Sequence, residues 1–336
     1  MSRKLGTCHI GGTYHFSEVP VRKAVLTLAV PTVISQLITV VYNMADTFFI
    51  GQLNDPLQVA AATIAMPCFM FLTAFANLFG PGGSSLISRC LSSDDKGKAR
   101  HTAAFCIWTG IVVAFLYGIG ILLLEPVLFP ILGAKAETWG YLKDYIFWTI
   151  GIGAVPTVMN AEFAHLIRSE GYSKQAGFGV ALGGILNIAL DPLFIFAFGL
   201  NIAGAAIATM LSNLIAMLYF IGFLLHIRKK SVITLNPKKY SVKQRIPLEV
   251  VTVGLACPTT AINFMCITVF QAIGKKAQPL FLSLLRKGSI DIVFMLLLNK
   301  TMGISGIAWA TPFADWIAFL ISAAMIVPCL CKLKSE

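Results

Sequence analysis

Eight runs of apolar residues, each close to the length of a bilayer crossing, dominate this chain. They lie at about 24–50, 60–79, 103–124, 145–166, 177–198, 202–227, 280–298 and 304–330. A helix rises ~1.5 Å per residue, so ~20 residues span the ~30 Å of hydrocarbon in a membrane. None of the runs alternates apolar and polar residues with a period of two, so helices rather than barrel strands must satisfy the backbone in lipid. Only 12% of the residues are charged and the mean hydropathy is +0.79, roughly half the charge of a water-soluble domain. The sequence reads as an all-α polytopic membrane protein with about 8–9 transmembrane helices.

The formal net charge of +11 invites a nucleic-acid reading, but the basic residues fall in short loops between the runs. Arg22 and Lys23 precede the first run, Arg89–Arg100 holds Lys96 and Lys98, and Arg168 and Lys174 flank the fourth and fifth. A denser group fills Arg228–Arg245, whereas Gln52–Gln58 and Gly199–Asn201 carry no Lys or Arg. This alternation is the positive-inside pattern. It predicts a multi-pass protein of the plasma membrane with a cytoplasmic N-terminus and no nucleic-acid partner. Residues 1–20 are too polar for the core of a signal peptide, so targeting is expected to rest on the first helix. The expected organisation is a six-helix lobe over 1–227, a basic cytoplasmic linker over 228–248, and a second lobe over 249–336. Within that lobe, 249–271 fits the charge rule only as a re-entrant hairpin, since a full crossing would put Lys275 and Lys276 outside.

Two internal echoes bear on the second lobe. Asn201–Thr209 (NIAGAAIAT) and Gly303–Thr311 (GISGIAWAT) share five of nine positions at an offset of 102 residues. Leu28–Thr32 (LAVPT) and Leu255–Thr259 (LACPT) pair at an offset of 227. A repeat of this kind must be weighed before a fold is assigned. If both pairs belong to one repeat, its second copy is shorter than the first by 125 residues.

Polar residues inside apolar runs carry the functional signal. Asp46 lies near the end of the first run, and Asp191 lies in the fifth with Asn187 one helical turn before it. A carboxylate at mid-membrane costs about 2.5–3.5 kcal/mol on insertion scales, so such acids usually face a cavity and mark an ion path. The competing reading puts Asp46 among the headgroups and makes Asp191 the end of a helix before Pro192. Pro31 removes a backbone hydrogen bond inside the first run and predicts a bend. Gly204 and Gly306 read as points of close helix packing, and His165 and Arg168 as interfacial residues. Asp291 and Asp315 are weaker candidates in the last two runs. The eight cysteines have no CxxC spacing, which supports neither a zinc site nor a disulfide framework. No HExxH helix or GxSxG turn is present, and Asp94–Asp95 stands without a second acidic motif, so an enzyme is not expected.

Four stretches, LAVPTVISQLITVVYNMADTFFIGQL, RSEGYSKQA, GGILNIALDPLFIFAFGLNIAGAAIAT and FQAIGKKAQPLFLSLLR, together resemble the bacterial branch of the multidrug and toxic compound extrusion (MATE) family. The resemblance covers roughly residues 20–330. It implies a MATE-like six-helix first lobe and a truncated second lobe, with an internal deletion of about 125 residues across its seventh to tenth helices. It also implies a monomeric secondary antiporter that exports drugs or other amphipathic, cationic small molecules in exchange for H⁺ or Na⁺ and needs no other cofactor. By the same resemblance, Asp46, Asn187, Asp191 and Thr209 form the cation site, and Pro31 marks the bend of the first helix. Two alternatives stay open at this level: a remnant that no longer transports, and a flippase for lipid-linked sugars or polysaccharides on a related fold. The flippase would be expected to line its cavity with Arg and Lys, which the first lobe lacks deep in its spans.

Overall fold

The computed structural model describes residues 21–53, 55–237 and 240, together with 250, 313, 316–322 and 324–325. Two compact units divide at Pro247 and Leu248. In the second unit the described residues 316–322 are helical, with the rings of Trp316 and Phe319 6.0 Å apart. The re-entrant reading of 249–271, Gly306, Asp291, Asp315 and both C-terminal echoes lie outside the described residues.

The first unit consists of long helices that follow the six apolar runs. They are α1 (Val21–Gly51), α2 (Pro56–Ser92) and α3 (Lys96–Leu123), then a short α4 (Glu125–Ile131), α5 (Ala136–Ile146), α6 (Ala154–Ser169), α7 (Ser173–Pro192) and α8 (Asn201–Ile227). By length and composition α2, α3, α7 with its extension to Ala197, and α8 are each able to cross a membrane. Helices α5 and α6, bent by 48° about a wide π-helical turn at Phe147–Ile152, make a fifth crossing. The charged stretch around Glu125, Lys135 and Glu137 is mostly helical: α4 begins at Glu125 and α5 at Ala136.

Local chemistry sets the boundaries. Asp55 caps α2 by accepting from the Leu57 N–H at 2.9 Å, and Pro56 follows at the first helical position, where no N–H is required. Asp95 caps α3 through the Lys98 N–H at 2.9 Å. Gly171 turns the chain between α6 and α7 at φ +89°, and Gly199 turns it before α8 at φ +65°, conformations that cost glycine little. Pro192 does not end its helix. The chain continues through Leu193–Ala197 as a π-helix, which widens the turn where proline lacks a donor and crowds the preceding carbonyl.

The packing is that of a bundle in lipid. Small residues such as Ala61, Ala103, Ala176, Ala205 and Ala216 are fully buried in the interior beside large ones such as Phe163, Phe220 and Leu72. Other large apolar side chains face outward, with Phe71, Leu123 and Ile131 at 65%, 74% and 75% exposure. In water such a surface would drive aggregation, whereas in hydrocarbon close backbone approach through small residues is what holds helices together. Gly204 is one such point, since a Cβ there would stand 2.6 Å from the Phe194 carbonyl. Gly177 is another, with the carbonyl oxygen of Pro31 2.9 Å from the Cβ position. This contact seats the proline-bearing turn of α1 directly on α7.

Candidate cation site

Four of the helices converge on a polar cluster. On α7, Asn187 and Asp191 are four residues apart and therefore share a face. The Asn187 amide donates to Asp191 Oδ1 at 3.2 Å and to Thr209 Oγ1 on α8 at 3.3 Å. Asp46 on α1 lies within Coulombic range of Asp191, because α1 packs along α7 and Gly184 lets Ile38 and Tyr42 approach to 3.0 and 3.1 Å of its Cβ position. Tyr145 on α5 is within electrostatic reach of both acids, and Tyr42 of Asp46. The structure thus gathers Asp46, Asn187, Asp191 and Thr209 in one place, with Pro31 about four turns before Asp46 on α1. Asp191 sits within a continuing helix and is fully buried.

The cluster is rich in unused acceptors. Asp46 Oδ1, Asn187 Oδ1 and Asp191 Oδ2 are buried and have no hydrogen-bond partner among the described residues. Buried polar atoms normally find partners, and each exception calls for an explanation. Two carboxylates in mutual range inside a low-dielectric bundle repel when both are charged, so the pair favours taking up a proton or a small hard cation. Oxygen ligands suit such a cation. No group of three or more His, Cys, Asp or Glu side chains with metal-holding geometry occurs among the described residues.

Next to the cluster lies a cavity of about 260 Å³, with Asn187 and Thr209 in its wall. A second amide pair lines it: Asn160 on α6 donates to Asn213 Oδ1 at 2.8 Å, and Asn213 donates to the Thr209 carbonyl at 3.0 Å. Sequence reading passed over Asn160, Asn213, Tyr42 and Tyr145, because uncharged polar residues in apolar runs are common and only packing shows which ones converge. His165 and Arg168, read from the sequence as interfacial, also line this cavity.

Two further buried acids were missed. Glu162 on α6 is fully buried, faces Gly110 of α3, and has both carboxyl oxygens unpartnered among the described residues. The argument that selects Asp46, an acid inside an apolar run, would also have found it. Glu170, in the turn after α6, is instead fully engaged. It accepts from Ser231 Oγ at 2.7 Å, from the Val232 N–H at 2.6 Å and from the Ile233 N–H at 3.3 Å. Burial raises its carboxyl above the usual range, and these three donors pull in the opposite direction.

Comparison with known proteins agrees with this architecture. The MatE family model matches residues 31–193. Multidrug export protein MepA of Staphylococcus saprophyticus subsp. saprophyticus is 31% identical over 241 residues, which is 72% of this chain and 53% of MepA. The chain therefore spans about half the length of the curated relatives it matches. A MOP superfamily transporter from Pyrococcus furiosus Vc1 superimposes with a TM-score of 0.68 at 27% identity, covering 92% of this chain and 70% of the transporter. A MATE crystal structure in complex with MaD3S gives a TM-score of 0.67 at 26% identity, covering 90% of this chain and 64% of that one. The sequence motifs, the helical bundle and these relatives lead to one assignment: the chain is a membrane protein of the MatE, or multidrug and toxic compound extrusion, family.

Proposed function

We propose that this chain is a secondary antiporter of the plasma membrane that expels amphipathic or cationic small molecules in exchange for H⁺ or Na⁺. The observation that carries this reading is the convergence of Asp46, Asn187, Asp191 and Thr209, with three buried oxygens that have no partner among the described residues. An incoming ion neutralises the Asp46–Asp191 pair and completes the coordination of Asn187 and Thr209. Neutralisation removes the repulsion between α1 and α7, and α1 yields at Pro31, where the backbone already lacks one hydrogen bond. Movement of α1 changes which side the substrate cavity faces, the rocking expected of a transporter built from two related bundles. The N-terminus is cytoplasmic in this scheme, and the basic loops face the cytoplasm. The multidrug export role of MepA supports the substrate class.

A second reading, a remnant that no longer transports, is favoured by the 125-residue difference between the two repeat offsets. One experiment separates the two. The full chain is expressed in cells lacking endogenous exporters, and efflux of a fluorescent organic cation is followed under imposed Na⁺ or H⁺ gradients, beside Asp46→Asn. Export abolished by Asp46→Asn establishes the antiporter, and the effective gradient identifies the ion. No export from a chain shown to be in the membrane establishes the remnant.

A further inference from the structure

The cavity beside the acid cluster extends well beyond it. Along α6 its wall runs from Thr157 through Asn160 and Ala164 to Arg168. These residues recur every three or four positions and form a single stripe, which at 1.5 Å per residue covers about 16 Å, half the thickness of the hydrocarbon. One end meets Asn187 and Thr209. The other meets His165 and Arg168, next to the turn that carries Glu170 and Lys174. A polar cavity of this size holds water, whereas an apolar one would stay dry. Hydrogen bonds from the Asn187 amide reach Asp191 and the Thr209 hydroxyl, and Asn213, which accepts from Asn160, donates to the Thr209 backbone carbonyl.

Arg168 sits where this passage meets the basic end of the bundle. Its Nη2 donates to Ser35 Oγ on α1 at 3.3 Å, while its Nε is buried without a partner among the described residues. Among the described residues the guanidinium is held by this one long bond across a helix interface, a weak tether for a buried arginine. Ser35 lies one turn beyond Pro31, so a bend of α1 at Pro31 carries Ser35 with it.

We propose that this cavity is the passage by which the coupling ion moves between the acid cluster and the basic end, and that Arg168, latched to Ser35, is its gate. The proposal rests on the reading of Asp46 and Asp191 as the ion site. While the latch holds, the guanidinium opposes a cation entering or leaving from the basic end. When α1 bends, Ser35 moves away, the guanidinium swings aside and the ion is released. Arg168 acts here as a gating residue and does not coordinate the ion.

The test reads access, with no drug and no ion gradient, so it succeeds or fails independently of the export assay. In a full chain whose native cysteines are replaced, Asn160→Cys is labelled by a membrane-impermeant, positively charged methanethiosulfonate reagent in vesicles of each orientation. The side on which trypsin cuts after Lys229 and Lys230 marks the basic end. Labelling from that side is expected to quicken at least about tenfold when Arg168→Gln is added, the scale on which a local charge changes the access of an ion. A negatively charged reagent should gain less, and Arg168→Lys, which keeps the charge, should stay near the parent rate. Labelling only from the opposite side, or a rate that Arg168→Gln leaves unchanged in a chain with unaltered thermal stability, would overturn the proposal.

Discussion

The two ends of the first unit each bury carboxylates, and they treat them in opposite ways. At the basic end Glu170 is satisfied by three donors from the segment after α8, and it fastens that segment to the turn between α6 and α7. Toward the other end Asp46 and Asp191 keep buried oxygens without partners among the described residues, although amides and hydroxyls lie close by. A satisfied buried carboxylate is a fastening, since its removal strands donors that folding has already desolvated. An unsatisfied pair near a polar cavity is a receptor for positive charge. Glu162 also has no partner among the described residues, but it faces Gly110 and is not part of the cavity wall. The acids proposed to bind the coupling ion are those with both spare oxygens and an adjoining polar space.

The sharpest way to break this comparison is to remove a charge at each end. Asp191→Asn should lower ion-coupled export about tenfold or more, within the range of coupling between linked sites, and leave the melting temperature in detergent nearly unchanged. An equal loss of export and of stability would erase the distinction. Glu170→Ala should do the reverse. It should destabilise the first unit by about 1–3 kcal/mol, the cost of leaving buried donors unsatisfied, and hasten tryptic cleavage after Lys229 and Lys230.

The pH dependence of the fastening sharpens the contrast. Burial raises Glu170 above its unfolded value, so folding favours its protonated form. Its contribution to stability is complete below the ordinary glutamate pKa of about 4.3 and fades as pH rises through the folded value. Glu170→Gln, which imitates the protonated form, should flatten that part of the melting-temperature profile against pH.

Packing supplies two smaller effects. Gly204→Ala places a Cβ against the Phe194 backbone and should cost about 1–3 kcal/mol through overpacking, seen as a lower melting temperature. Asp55→Ala removes the cap of α2 and should cost about 1 kcal/mol, with no effect on ion coupling. A change in coupling from either variant would show that the two ends are less separate than the hydrogen bonds indicate.

Much of this protein was legible in its sequence because lipid is a demanding solvent. A backbone in hydrocarbon must satisfy itself, so the six apolar runs of the first unit are helical, five of them long and apolar enough, singly or as one bent pair, to cross a membrane, and the Asn187–Asp191 spacing dictated a shared helical face. The same solvent hides other features. Inside an apolar run, uncharged Asn160, Asn213 and Tyr145 cost too little to stand out, and their importance comes from neighbours on other helices. Whether Pro192 would stop or merely widen its helix depended on packing, since Gly204 lets α8 lie against the π-helical turn that follows the proline.

By itself the sequence determined a helical membrane protein, the places where its helices run, and two acids that hydrocarbon would not tolerate without a purpose. Only the tertiary structure decided that those acids meet across α1 and α7, that His165 and Arg168 line the same cavity, and that Glu170 is a fastening. The physical reason is that periodicity fixes which face of a helix a residue occupies, whereas its partner is chosen by close approach between helices, which small residues far apart in the chain permit.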